Sequence, residues 1–205
     1  MFRLSFITLI ILCLFICSCS PQINKYRAIE SVINELRTPF GSNQIDTIEI
    51  NFYSYKLNEN LLNGYKISKE NELVKKLRSS SNTFEWVDNK YAWSINDEEI
   101  DFMIKSLKDQ KEELWDLKKM NNSRTVVQLV DLPKFDNKLL EDLERQKRYK
   151  SENFIYTFSN PVFNKKKDVV FIQFTAHLML YSTVTLIYKK ESGKWIKIGA
   201  LYPDW

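Results

Sequence analysis

Residues 168–202, DVVFIQFTAHLMLYSTVTLIYKKESGKWIKIGALY, decide the fold of this chain. Apolar and polar residues alternate along this stretch, as they do in strands that bury one face in a core. With the segment before it, the stretch predicts four strands, at residues 154–163, 168–178, 181–190 and 194–202. The links between them are short: residues 164–167, a tight turn near Leu180, and residues 191–193. Short links make neighbouring strands pair antiparallel, so this part of the chain predicts a four-stranded meander.

The region upstream of the meander supplies the predicted helices. The pattern of apolar residues indicates helices at residues 26–36, at residues 68–79 with Ser68 as the cap, and in a short segment capped by Asp136 or Asn137. The clearest helix follows Asn96, which forms a capping box with Glu99. An apolar stripe follows this box, made of Ile100, Met103, Ile104, Leu107 and also Leu114.

Further strands are predicted at residues 46–57 and 124–132, and as two short strands in residues 84–95 around a turn at Asp88 and Asn89. Helices and strands are therefore segregated along the chain rather than alternating regularly. This arrangement predicts an α+β fold, with helices packed on a mainly antiparallel sheet that ends in the four-stranded meander.

The N-terminal segment, MFRLSFITLIILCLFICSCS, has the features of a targeting sequence. One basic residue, Arg3, precedes an apolar run at residues 4–16, which is too short for the roughly 20 residues that span a bilayer. A basic start, a short apolar run and then small residues are typical of a signal peptide. Residues 1–18 are therefore predicted to be a targeting signal that is cleaved from the mature protein.

The end of this segment, Ile16-Cys17-Ser18-Cys19, resembles the lipobox of bacterial lipoproteins. The resemblance implies cleavage after Ser18 and acylation of Cys19, with palmitate among the chains. Ser20, where an Asp would imply retention in the inner membrane, favours the outer membrane. A eukaryotic or non-lipidated signal is the alternative. The predicted organisation is thus a signal peptide at 1–18, a lipid-anchored spacer at 19–25 and a single α+β domain at 26–205.

The composition argues against several classes of chemistry. All three cysteines lie in the N-terminal segment, so the mature chain would keep only the acylated Cys19 and would have no disulfide or thiol nucleophile. One histidine and four glycines argue against a zinc site and against a glycine-rich phosphate loop. The net charge is +4, and basic and acidic residues are interspersed along the chain. This mild positive charge can favour contact with anionic headgroups, but it is no signature of nucleic-acid binding. We therefore expect no metal, no cofactor and no catalytic residue.

The single histidine, His177, marks the candidate ligand site. Alternation places it with other polar residues on one face of its strand, and the following turn brings two threonines of the next strand near that face. The candidate ligand-binding residues are Gln173, Thr175, His177, Thr183 and Thr185. Three interpretations remain open: an ordinary solvent face, a polar-floored pocket for a small ligand, or a site in which His177 is a general base.

Three motifs carry a resemblance to known domains: FSNPVF at 158–163, DVVFIQF at 168–174 and GKWIKIG at 193–199. Their order is similar to that in the C-terminal part of uncharacterised bacterial envelope lipoproteins and, more loosely, to cone-shaped domains of the nuclear-transport-factor-2 type. The predicted strand after the first helix departs from the three-helix opening of the latter domains. The resemblance implies a fold and carries no catalytic residue.

These observations lead to one leading expectation and two alternatives. The leading expectation is a cell-envelope protein, anchored in the membrane through the lipid on Cys19, that acts as a non-enzymatic binding or interaction module. An envelope protein would be its partner, and nucleic acid would not. The alternatives are a small-ligand or weakly catalytic domain centred on His177, and a purely structural envelope component.

Overall fold

The structure is a computed structural model that describes residues 20–36, 47–51, 53–74, 82–120, 126–130, 155–177 and 182–203. The helices are α1 (Ser20–Leu36), α2 (Glu59–Val74), α3 (Asp97–Lys108) and the short α4 (Leu117–Met120). The strands are β1 (Thr47–Asn51), β2 (Asn82–Trp86), β3 (Val126–Val130), β4 (Ile155–Phe158), β5 (Val162–Phe163), β6 (Val169–His177), β7 (Ser182–Glu191) and β8 (Lys194–Pro203). The predicted signal peptide, Cys19, the predicted helix after Asp136 or Asn137 and the turn near Leu180 lie outside these residues.

The described strands form one sheet in the order β2-β8-β7-β6-β4-β1-β3, and β5 pairs with β6 beside this path. The pairs β2–β8, β8–β7, β7–β6, β6–β4 and β6–β5 are antiparallel. The α+β class with a mainly antiparallel sheet is therefore confirmed. One end of the sheet differs from this pattern, because β1 lies parallel to both β3 and β4.

The C-terminal strands β4 to β8 lie between residues 155 and 203, and one predicted segment is divided. The segment predicted as a single strand at 154–163 forms two strands, β4 and β5, which both pair with β6. Between them, Ser159 N still donates to Gln173 O of β6, whereas the other side of this segment contacts residue 55: Tyr55 N donates to Phe158 O and Asn160 N donates to Tyr55 O. The interruption therefore lets residue 55 add its own backbone hydrogen bonds at this point of the sheet.

Each face of the sheet buries its own apolar core. Val170, Ile172 and Phe174 of β6 share one face with Ile29 and Val32 of α1. The alternate residues of β6 face the other side, where α2 and α3 contribute Leu62, Tyr65, Ile100, Met103 and Leu107 to a second cluster with Phe171 and Ile187. Successive side chains of a strand point to opposite faces. The sheet is thus a middle layer, with α1 on one side and α2 and α3 on the other.

Two helices begin earlier than the sequence pattern predicted. α1 begins at Ser20, so residues 20–25, predicted to be a spacer, belong to the helix. α2 begins at Glu59, and Ser68 is a buried residue within it rather than its cap. The prediction missed this start, although Asn58 carries the signal: its Oδ1 accepts a hydrogen bond from Asn60 N at 3.0 Å, as an N-terminal cap does.

The helix after Asn96 is confirmed, whereas the strand predicted just before it is wrong. Asn96 Oδ1 accepts from Glu99 N at 2.8 Å, and three residues of the predicted stripe, Ile100, Met103 and Leu107, are buried. Leu114 is not part of this stripe, because α3 ends at Lys108 and Leu114 is exposed. In residues 84–95 only β2 is a strand. A short 3-10 turn, Asn89–Tyr91, follows, and the Asp88 side chain accepts a hydrogen bond from Lys90 N. Trp93 comes after this turn and has a positive φ of 54°.

An aromatic cluster attaches the edge strand β2 to the second core. The Tyr65 ring lies 5.6 Å from the Phe84 ring, 5.2 Å from the Trp93 ring and 6.0 Å from the Phe171 ring, in edge-to-face arrangements that aromatic rings favour. Gly199 of β8 makes room for Trp86, since a Cβ at this position would lie 2.9 Å from the indole. The tryptophans of this region are therefore explained by packing.

Candidate functional site

The polar residues predicted around His177 lie on the sheet face that also carries Phe171. The register pairs Gln173 with Thr185 and Thr175 with Thr183 across β6 and β7. Gln173 Nε2 donates to Thr185 Oγ1 at 3.3 Å, and the hydroxyls of Thr175 and Thr183 are 3.0 Å apart. The structure therefore brings four of the five predicted residues together as two hydrogen-bonded cross-strand pairs.

His177 has a different neighbour from the one expected. Its Nε2 lies 2.8 Å from Thr157 Oγ1 of β4, on the side of β6 away from β7. Thr157 was missed because only the strand after His177 was considered for its neighbours. The predicted antiparallel pairing of residues 154–163 with residues 168–178 already brings Thr157 to β6, and the register pairs it with Thr175 on the face of His177.

Burial governs the electrostatics of this face. Desolvation lowers the pKa of His177 below its usual 6.5, so the imidazole is neutral at pH 7. Burial also raises the pKa of Tyr55, and the neighbouring Thr175 side chain acts in the opposite direction. A neutral imidazole beside hydroxyl and amide groups can donate and accept hydrogen bonds to a small polar molecule. The exposure of Gln173 is only 9% and that of Thr185 is 1%, so these two side chains chiefly bond each other.

A second polar centre, which the sequence reasoning missed, fixes the start of α1. Lys25 Nζ donates to Glu113 Oε2 at 2.6 Å and to Asn160 Oδ1 at 2.7 Å, and it lies 4.8 Å from the centre of the Trp115 ring. Asn160 Nδ2 in turn donates to Lys111 O at 2.7 Å. The ammonium group thus joins α1, the segment after α3 and the bend between β4 and β5. No local pattern marks this lysine, because its partners are 88 and 135 residues away.

The far end of α1 is fixed to the sheet by a second group of contacts. Tyr188 Oη of β7 donates to Glu35 Oε2 at 2.6 Å, and Lys197 of β8 donates to the other oxygen of the same carboxylate. Burial and the adjacent Glu35 carboxylate both raise the pKa of Tyr188. Nearer the N-terminus of α1, Lys190 Nζ donates to Asn24 Oδ1 at 3.1 Å. The helix is therefore held along its length, from residue 24 to residue 35.

The described residues contain neither a cluster for a metal ion nor a helix that could span a membrane. Among these residues, no group of three or more His, Cys, Asp or Glu side chains is arranged to hold a metal ion. None of the described helices combines the length and the apolar character needed to cross a bilayer. The acidic residues at the start of α3 have structural partners: Asp97 accepts from Lys69 at 3.0 Å, and Glu99 accepts from Asn164 at 3.1 Å.

Comparison of the chain with protein-family models, with curated proteins and with solved structures finds no match. The resemblances of the N-terminal segment and of the C-terminal motifs therefore stay predictions.

Proposed function

We propose that this chain is a lipid-anchored cell-envelope protein that acts as a non-enzymatic binding or interaction module. The membrane contact is the lipid on Cys19, the proposed compartment is the outer membrane, and the proposed partner is another envelope protein. The C-terminal meander predicted from the sequence forms the platform of this module.

The observation that carries this proposal is the position of α1. The helix begins at Ser20, the residue bonded to Cys19, and it is held on the sheet through Lys25 and Glu35. An acyl chain on Cys19 would therefore be attached to the folded domain without a flexible spacer. Such an attachment keeps the domain close to the bilayer, where its other surfaces can meet a partner in the same envelope.

The test combines mass measurement with site-specific photo-crosslinking in bacterial cells. The intact mass of the membrane-extracted protein shows whether Cys19 is acylated. A photoreactive amino acid is placed at Val87, Phe102 or Leu114, which are large apolar side chains with exposures of 63%, 41% and 54%. We expect a reproducible protein adduct from at least one position, because exposed apolar side chains are where partners bind.

The matched control is the Cys19→Ala chain with the same probes. It cannot be acylated on residue 19, so the adduct should disappear or fall strongly. An adduct of equal yield from this variant would contradict an anchored module. A chain whose mass shows no acylation and an intact signal segment would contradict the anchor itself.

The second candidate function is a small-ligand site at the His177 face. It is favoured by the placement of Thr157, His177, Thr175 and Tyr55 from neighbouring parts of the sheet on one partly buried surface. A screen of amino acids, sugars and short carboxylic acids for a rise in melting temperature tests it. A ligand that stabilises the parent chain but not the His177→Gln variant would support this candidate, and the interaction module predicts no such ligand.

A further inference from the structure

Six lysines are gathered at one end of the sheet. Lys165, Lys166 and Lys167 form the turn between β5 and β6, and Lys189, Lys190 and Lys194 surround the turn between β7 and β8. The two turns are adjacent, because Val169 pairs with Lys189 and Lys190 N donates to Asp168 O at 2.7 Å. We call these six residues the lysine end. Four of its members, Lys165, Lys166, Lys167 and Lys194, are exposed.

Two acidic residues lie within these turns, so six lysines outnumber two carboxylates at this end of the sheet. Each carboxylate accepts a hydrogen bond from a neutral group and keeps its charge. Asp168 Oδ1 accepts from Asn164 Nδ2 at 2.6 Å, and Glu191 Oε1 accepts from the Tyr91 hydroxyl at 2.9 Å. The lysine end therefore carries an excess of positive charge at an exposed surface. Lys66 and Lys69 of α2 differ from these lysines, since each lies within 3.0 Å of a carboxylate, that of Asp101 or Asp97.

The lysine end also lies beside the start of α1. Lys190 Nζ is 3.1 Å from Asn24 Oδ1, and Ser20 precedes Asn24 by four residues, which is about 6 Å along a helix axis. Cys19 is bonded directly to Ser20. The residue proposed to carry the lipid is therefore a short covalent distance from the lysine end.

We infer that the lysine end contacts the anionic phospholipid headgroups of the membrane in which Cys19 is anchored. The inference rests on the proposed function, since it uses the anchor on Cys19. Lysines near an anionic membrane surface are attracted to it, and an acyl chain combined with a basic surface binds a bilayer at two points. Two points of attachment fix the orientation of the domain, so the opposite end of the sheet faces away from the membrane.

The test measures lysine reactivity on the full acylated protein in vesicles. The protein is reconstituted into vesicles of phosphatidylcholine alone or with about 30% phosphatidylglycerol, the anionic component. A water-soluble amine-acetylating reagent is applied, and mass spectrometry gives the rate at each lysine. We expect the rates at Lys165, Lys166 and Lys194 to fall about fivefold in the anionic vesicles, and to recover in about 0.5 M salt, which screens the attraction.

Lys105 and Lys108 are the internal controls. They are exposed on α3, on the helical layer opposite α1, and their rates should be the same in both kinds of vesicle. The variant Lys166→Gln/Lys194→Gln should restore the reactivity of Lys165, whereas the charge-matched variant Lys105→Gln/Lys108→Gln should not. Both pairs lie at exposed positions and leave the described hydrogen bonds intact.

Each outcome separates the inference from the proposal on which it rests. Equal rates at the lysine end in neutral and anionic vesicles, from a protein that is acylated on Cys19, would overturn the headgroup contact and keep the anchor. If Cys19 is not acylated, the proposed function fails. Flotation of the chain with anionic but not neutral vesicles would then support the headgroup contact, and no flotation would overturn it.

Discussion

Lys25 joins three separate parts of the chain through one ammonium group. Its side chain is only 14% exposed and donates to Glu113 and Asn160 while lying over Trp115. An ammonium group at such a position loses much of its hydration. The contacts with Glu113, Asn160 and Trp115 replace the hydrogen bonds that it would make to water. The residue therefore fixes the start of α1 more firmly than helix propensity alone would.

Replacing Lys25 by Met should destabilise the protein by about 1–2 kcal/mol, because the buried Asn160 side chain loses a charged partner. Solvent screens the ion pair with Glu113, whose side chain is 58% exposed, so this pair adds little. Methionine keeps the length of the apolar stem, so the loss reports the ammonium group. Chemical denaturation of both proteins measures the free energy of unfolding. Arg27→Met, at an exposed position of the same helix, should change it by no more than about 0.5 kcal/mol. Similar values for the two variants would show that Lys25 is an ordinary surface residue.

His177 should titrate below 6.5, since burial disfavours the charged imidazole. The folded state then binds this proton more weakly than the unfolded state does. Stability from this group is therefore present above about pH 6.5 and is lost as the pH falls through the lowered pKa. The chain has one histidine, so its ring resonances in a proton NMR titration are unambiguous. A midpoint at or above 6.5 would contradict the burial described for this face.

At the scale of elements, α3 shows which features a local pattern can specify. Its cap, its first acidic turn and its buried stripe occur within twelve residues of one another, and each interaction lies inside the element or next to it. α2 shows the opposite case. Its polar positions and Gly64 weaken the helical periodicity of its first half, so Ser68 looked like a start, although the chain is already helical from Glu59. Tertiary packing of Leu61, Leu62 and Tyr65 decides where this helix lies.

Replacing Asn96 by Ala should cost about 1 kcal/mol of stability, because Glu99 N loses the side-chain oxygen that caps it. Asn96→Asp keeps an acceptor at the same place and should retain the stability of the parent. Thermal and urea unfolding of the two variants provide the comparison. An Asp variant as unstable as the Ala variant would show that the amide nitrogen of Asn96, rather than its oxygen, matters.

The candidate site was predictable to the extent that it depends on neighbouring strands. The short link between β6 and β7 was enough to place Thr183 and Thr185 beside Thr175 and Gln173. Thr157 could have been found in the same way, because the segment that contains it was predicted to pair with β6. Tyr55 could not, because it contacts Ser159 from a position more than 100 residues earlier in the chain. The same reason hid the parallel pairs of β1, which no alternation pattern reveals.

At the scale of the whole molecule, the buried tyrosines make the free energy of unfolding sensitive to high pH. Burial raises the pKa of Tyr156 to about 12, and it raises the pKa values of Tyr55, Tyr65 and Tyr188 as well. In the unfolded chain these hydroxyls ionise near pH 10. These residues lie on both faces of the sheet, so ionisation of any one of them opposes the packing of a core.

Stability should therefore fall as the pH rises above about 10, by at most about 1.4 kcal/mol per pH unit for each buried tyrosine. Below pH 10 both states keep the protons, and the contribution is constant. Urea unfolding between pH 8 and 11 measures the slope, and tyrosinate absorbance should rise together with unfolding. Tyr188→Phe should reduce the slope, and Tyr202→Phe, at an exposed side chain, is the control. Tyrosinate formation well before unfolding would contradict the raised pKa values.

The position of β1 determines the order in which the sheet can be completed. β1 pairs with β3, about 80 residues later in the chain, and with β4, more than 100 residues later. Contacts between distant segments form slowly because long loops must close first, whereas only short stretches of chain separate β6 from β7 and β7 from β8. We expect pulsed hydrogen exchange to show protection of β6–β8 before β1, and simultaneous protection would exclude this order. A chain that leaves the ribosome N-terminus first therefore holds β1 without a neighbouring strand until β3 and β4 have been made, and its sheet is complete only when β8, which pairs with β2, has followed.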